Sequence, residues 1–187
     1  ISTVSALVDA LGNNSSRLVN DSASLANAVA GQFFSLWTAG GVPGAGSAPG
    51  AAAVPTSATT GAMGFTNQTS PVTSYIAWLA LQSGVSATNV EIHDRLAHTG
   101  GLSGTVTTAQ GALSLITTDP GADRLGDANY SDVQWWLEVY TALGATGVNA
   151  TVNVTYEDAS TGNLAAIALG ATPRAGRLYP LVSASAG

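Results

Sequence analysis

Apolar and polar positions alternate most regularly toward the end of the chain. Val148, Ala150, Val152, Val154 and Tyr156 alternate with Asn149, Thr151, Asn153 and Thr155. A period of two puts successive side chains on opposite faces, as in a half-buried strand. Just upstream, Val133, Trp135, Leu137 and Val139 alternate with Gln134, Trp136, Glu138 and Tyr140. Two such runs in succession predict a β-hairpin, Val133 to Thr141 against Val148 to Tyr156. Ser160 to Asn163 reads as the next turn, Leu164 to Leu169 as a strand and Arg177 to Val182 as a last short strand.

Earlier in the chain the aromatic-rich stretch Gln32 to Thr38 predicts a first strand. Tyr75 to Leu81 is apolar on both faces and predicts a central strand covered on both sides, or a buried helical turn. Between Val90 and Leu96 the alternation places Val90, Ile92 and Leu96 on one face and Glu91, His93 and Arg95 on a wet one. Asp119 to Tyr130 reads as a turn-rich loop. About seven or eight strands separated by turns predict an all-β protein, an antiparallel β-sandwich or jelly-roll-like domain.

The spacing changes at the N-terminus. Val4, Leu7, Val8 and Leu11 follow the i, i+3, i+4, i+7 rule, with Ser2 or Thr3 as N-cap and Gly12 as a stop, and so predict a short amphipathic α-helix. A helix this short is unstable alone, so its apolar stripe needs cover from the domain or from a neighbouring subunit. A second, weaker helical pattern covers Ser22 to Val29. The expected organisation is an N-terminal helical arm over residues 1–31 and a β-domain over 32–187. Within the latter, Gly40 to Gly64 is a tract of Gly, Ala, Pro, Ser and Thr without Lys, Arg, Asp or Glu. It is expected to be irregular or extended, lying along the domain surface or in a groove of a partner.

Composition sharpens this picture. Only 9 % of the residues are charged, and Ala, Gly, Ser and Thr take their place. A surface of small neutral groups suits a protein packed against many copies of something else; a secreted or wall-associated protein is the other class with such a surface. The net charge is −6 and all five basic residues are arginines, which argues against a phosphate-binding stripe and so against nucleic-acid binding. No cysteine is present, so disulfides and thiol chemistry are excluded. No apolar run approaches the length of a bilayer span, and Ile1 opens on neither a basic nor an apolar leader, so membrane insertion is not expected and a signal segment is expected to be either absent or already removed.

Candidate chemistry is sparse. His93 and His98 share a segment with Glu91 and Asp94, which supplies two legs of a metal site but not a full set, so that solvent-face duty is the preferred reading. Asp119, Asp123 and Asp127 recur every four residues, but without the dense oxygen-ligand alternation of a calcium loop. No G-x-S-x-G elbow accompanies the many serines, and the glycine spacing of Gly44 to Gly50 is wrong for a nucleotide-binding turn. No metal, no cofactor and no catalytic residue is therefore expected. Trp135 and Trp136, adjacent on a strand, must face opposite ways, so one of them needs cover from an interface, a second sheet or a bound sugar.

Three stretches carry a resemblance: Gln32 to Gly50, Glu91 to Gly104 and Trp136 to Gly162. In this order they resemble β-sandwich virion structural proteins of tailed bacteriophages, of the capsid-decoration or cement type. The resemblance is one of pattern and covers about two thirds of the chain. It implies a non-enzymatic protein made in the bacterial host cytoplasm and carried on the capsid surface. Its partner would be the major capsid protein, and it would assemble as trimers or dimers without nucleic acid or membrane. On this reading Val4, Leu7, Val8, Leu11, Trp37 and Trp136 form the subunit and capsid interface. The alternative is a receptor- or glycan-binding module of a tail or spike.

Overall fold

The computed structural model describes residues 3–6, 20–23, 29–64, 80, 82, 89–110, 124, 132–156 and 158–184. Among them run nine short strands: β1 (Asp21–Ser22), β2 (Phe33–Phe34), β3 (Gly41–Val42), β4 (Trp136–Glu138), β5 (Val148–Ala150), β6 (Asn153–Thr155), β7 (Thr161–Asn163), β8 (Ile167–Gly170) and β9 (Arg177–Pro180). They pair antiparallel in four small sheets, β1-β3, β2-β9-β4, β5-β8 and β6-β7. The protein is all-β with almost no helix in the described residues, as the alternation predicts.

The expected hairpin between Val133 to Thr141 and Val148 to Tyr156 does not form. Both runs instead lie on the same arm of one long ribbon. Trp136 pairs with Pro180 and Glu138 with Leu178, then Val148 pairs with Gly170 and Ala150 with Ile167, and finally Asn153 pairs with Asn163. Between β4 and β5 the glycine-containing stretch is not a reversal. Leu143 donates its amide to Pro173 O at 3.1 Å, and Gly144 O accepts the amide of Thr172 at 2.9 Å, so the two arms stay side by side through a kink. A register shift at Val148/Asn149 absorbs the irregularity, as a bulge does.

The true reversal comes at Tyr156 to Ser160. Asp158 Oδ1 accepts from Ser160 N at 2.9 Å and from Ser160 Oγ at 2.6 Å, while Ala159 takes a left-handed φ of 62°. The turn assigned to Ser160 to Asn163 is thus already strand, with Thr161–Asn163 forming β7. An Asp closing a turn on its own backbone two residues on explains why the reversal falls ahead of Ser160 to Asn163.

Other expectations are corrected in the same way. The strand expected over Gln32 to Thr38 shrinks to Phe33–Phe34, and Val90 to Leu96 is not a strand. There Ile92 is 56 % exposed and Arg95 turns inward, against the expected faces, while Glu91 and His93 are exposed as expected. Ser22 belongs to β1 rather than to a helix. At the N-terminus Val4 to Ala6 are helical and Thr3 Oγ1 accepts the Ala6 amide at 3.1 Å, an N-cap three residues ahead. Tyr75 to Leu81, apart from Ala80, and Asp119 to Tyr130, apart from Arg124, lie outside the described residues.

Register fixes the two faces of the β2-β9-β4 sheet, because directly paired residues share a face. Phe33, Leu178, Pro180, Trp136 and Glu138 lie on one face; Phe34, Arg177, Tyr179 and Leu137 lie on the other. Tyr179 Oη reaches Leu169 O of β8 at 2.9 Å and ties the second face to that strand. Val139, Ile167, Leu169 and Ala39 are the buried apolar residues among those described.

Candidate functional site

The first face of the sheet is covered by a polar cluster centred on Arg95. Its Nη1 donates to Glu138 Oε2 at 2.8 Å and lies 3.5 Å from Tyr140 Oη, and its Nη2 lies 3.3 Å from Ser35 Oγ. The guanidinium carbon stands 4.6 Å from the centroid of Trp37. One planar cation thus joins β4, the segment after β2 and an aromatic face, a use suited to arginine because its fork of donors and its flat π-surface act together. Glu138 is 7 % exposed, and Arg95 is the countercharge paired with it.

A second arginine extends the cluster. Arg124 grips Asp94 with both Nε (2.9 Å) and Nη2 (2.6 Å), and its Nη1 donates to Pro55 O at 2.8 Å. Its Nη2 also reaches Arg95 O at 3.2 Å. The hydrogen bonds that Arg124 donates to Asp94 hold its guanidinium protonated even above its ordinary range.

The Gly40 to Gly64 tract folds over this cluster. Gly46 donates its amide to Trp37 O at 2.8 Å, and Trp37 Nε1 donates to Ser47 O at 3.3 Å. Ala53 and His98 exchange both backbone hydrogen bonds at 2.9 Å. A Cβ on Gly46 would stand 2.5 Å from Trp37 Nε1, so the close approach of tract and indole requires glycine there. In the single chain the tract lies along the domain's own surface.

Burial sets the proton chemistry. The Tyr140 hydroxyl is pushed up to about 12, first by desolvation and then by the adjacent Glu138 charge. His98, whose ring meets Trp37 edge to face at 5.5 Å, is held below its ordinary value by burial and by Arg95, against an opposing pull from Glu138. Its Nδ1 and Glu138 Oε1 are buried without hydrogen-bond partners.

A shallow groove of about 240 Å³ runs along the other end of β4 and β9, lined by Val133, Gln134, Trp135, Trp136, Pro180, Leu181 and Val182. Trp135 is 44 % exposed there. Its neighbour Trp136 is half-buried and meets Phe33 edge to face at 5.3 Å.

The residues singled out from sequence are distributed as follows. Val4 is 79 % exposed; Leu7, Val8 and Leu11, with Asp119, Asp123 and Asp127, lie outside the described residues. Trp37 sits within the cluster and Trp136 borders the groove. His93 and Glu91 form an exposed 3.0 Å pair, and no group of three metal-ligating side chains occurs among the described residues. The sequence reading missed Arg95, Glu138, Tyr140, His98 and Arg124 as one unit. The available signal was scarcity: each charge inside a strand-like run of so charge-poor a chain needs a partner.

No protein-family profile, no curated protein and no solved structure matches the chain.

Proposed function

We propose that this is a structural virion protein that binds the outside of a tailed-phage capsid and stabilises it, without enzymatic activity of its own. The observation that carries the reading is the apolar exposure of a nearly uncharged surface. Val4, Val42, Ile92, Val182 and Phe33 are 79, 57, 56, 53 and 47 % exposed, in a chain with 9 % charged residues. Side chains of this kind exposed in numbers suit burial against repeated neighbours rather than permanent contact with water. The resemblance of Gln32 to Gly50, Glu91 to Gly104 and Trp136 to Gly162 to decoration proteins supports the same reading.

The partner is then the major capsid protein, contacted through the N-terminal segment and the Trp136 end of the sheet, with the protein itself a trimer or dimer. The acidic balance, −6, disfavours nucleic acid as a partner. Among the described residues no helix is long and apolar enough to cross a membrane. The test is an averaged cryo-EM map of the particle. Density of this chain over the outer lattice at local symmetry axes is expected; density confined to the tail, or none on the particle, overturns the assignment.

One observation favours a second reading. An exposed Trp135 beside Gln134 in an open groove is the arrangement on which a sugar ring stacks, as in a glycan-binding module of a tail or spike. Glycan-array binding abolished by Trp135→Ala would move that reading to the front.

A further inference from the structure

We propose that the Gly40 to Gly64 tract is a latch, held closed over the sheet while the His98 imidazole is neutral and loosened when that ring takes a proton. The inference does not depend on the virion reading. It rests on how the hydrogen bonds that hold the middle of the tract, Gly46 to Pro55, gather around the Trp37 and His98 pair.

The tract contains no charged residue and no long apolar run, so it cannot order itself. Its start is paired with β1, Gly41 and Val42 against Ser22 and Asp21 with Gly40 O accepting the Ala23 amide, while the hydrogen bonds that hold its middle converge on one place: Gly46 and Ser47 on Trp37, Ala53 on the His98 backbone, and Pro55 on Arg124. The His98 ring lies edge to face with Trp37 at 5.5 Å, and the same indole carries the Arg95 cation at 4.6 Å. A proton on His98 would therefore place a second cation beside Arg95. It would also make Nδ1 a donor in a buried position where it has no acceptor.

The charged and titratable groups facing the ring are Arg95 from its own segment and Glu138 from β4, with Tyr140 beyond them. Glu138 attracts an imidazolium, but its Oε2 is already committed to Arg95 at 2.8 Å. Asp94 and Arg124 neutralise each other at 2.6 Å. Burial and Arg95 outweigh Glu138 and hold the ring below its ordinary value of 6.5. The closed state thus binds fewer protons than the open one. Its stability is complete above about pH 6.5 and falls as pH drops toward the lowered value in the closed form.

The test is amide hydrogen exchange on the full chain between about pH 7.5 and 5, corrected for intrinsic rates, in a His93→Gln background that leaves His98 as the single imidazole. The range stays above ordinary carboxylate titration. The reporters are Gly46 and Ala53, bonded to Trp37 O and His98 O, with Leu164, bonded to Val152 O, as a reference on the ribbon. Protection at Gly46 and Ala53 should fall by up to about tenfold per pH unit below about 6.5, while Leu164 holds. Adding His98→Gln should flatten that dependence.

Protection independent of pH in the His98-containing chain overturns the latch, as does an unchanged fall after His98→Gln. Should that variant fail to fold, the His98 ring is followed by NMR in the folded protein. Titration at or above 6.5 overturns the proposal, and titration below it, in step with loss of Gly46 protection, supports it.

Discussion

Arg95 is the residue on which the polar cluster turns. Truncating it leaves the Glu138 carboxylate, 7 % exposed, without its countercharge. Arg95→Ala should destabilise the fold by about 3–5 kcal/mol, measured by denaturant unfolding, because the cost is that of an uncompensated buried charge. The double variant Arg95→Met with Glu138→Leu should recover most of that loss, since removing both charges also removes the desolvation penalty; a double variant as unstable as the single would refute this account. Tyr140 offers a separate probe. With its hydroxyl pushed up to about 12, its ionisation should appear as a phase near that pH in an ultraviolet titration, and Tyr140→Phe should reduce the amplitude of that phase. The fold holds this proton more tightly than the unfolded chain does, so the contribution is complete below pH 10 and is lost as pH rises from there toward 12.

At the scale of elements, the ribbon and the tract make opposite demands on the backbone. The ribbon reverses at Ala159, whose φ of 62° is a left-handed conformation that a Cβ disfavours. Ala159→Gly should raise stability by about 0.5–1 kcal/mol, read as an increase in Tm; no change would mean that the turn relaxes around the alanine. The tract depends on the absence of a side chain at Gly46. Gly46→Ala would press a methyl group against Trp37 and Thr60 O, and should cost about 1–3 kcal/mol and raise the exchange of the Gly46 site and of Ala53 together. A neutral outcome would show that the indole can step aside.

For the molecule as a whole, attachment through neutral apolar groups predicts weak dependence on salt. On the proposed capsid-surface role, binding to capsid shells that lack this protein should change by less than about twofold over a tenfold rise in ionic strength, because screening acts on charges and few are present. A steep loss in a co-sedimentation assay would point instead to the few arginines and acidic groups as the contact.

Periodicity determined the strand character of Val133 to Thr141 and Val148 to Tyr156, the final strand at Arg177 and the irregular course of the Gly40 to Gly64 tract, because each follows from local side-chain alternation or from its absence. Glycines between two alternating runs look the same whether the chain reverses or only kinks. The choice was made by Pro173 O and the Thr172 amide, which answer Leu143 and Gly144 from the opposite arm of the ribbon. Tertiary structure likewise decided that Arg95, read as a solvent-face residue, turns inward. Its partners Ser35, Glu138 and Tyr140 are 60, 43 and 45 positions away, and the pull of a buried carboxylate on a guanidinium leaves no trace in the spacing around either one.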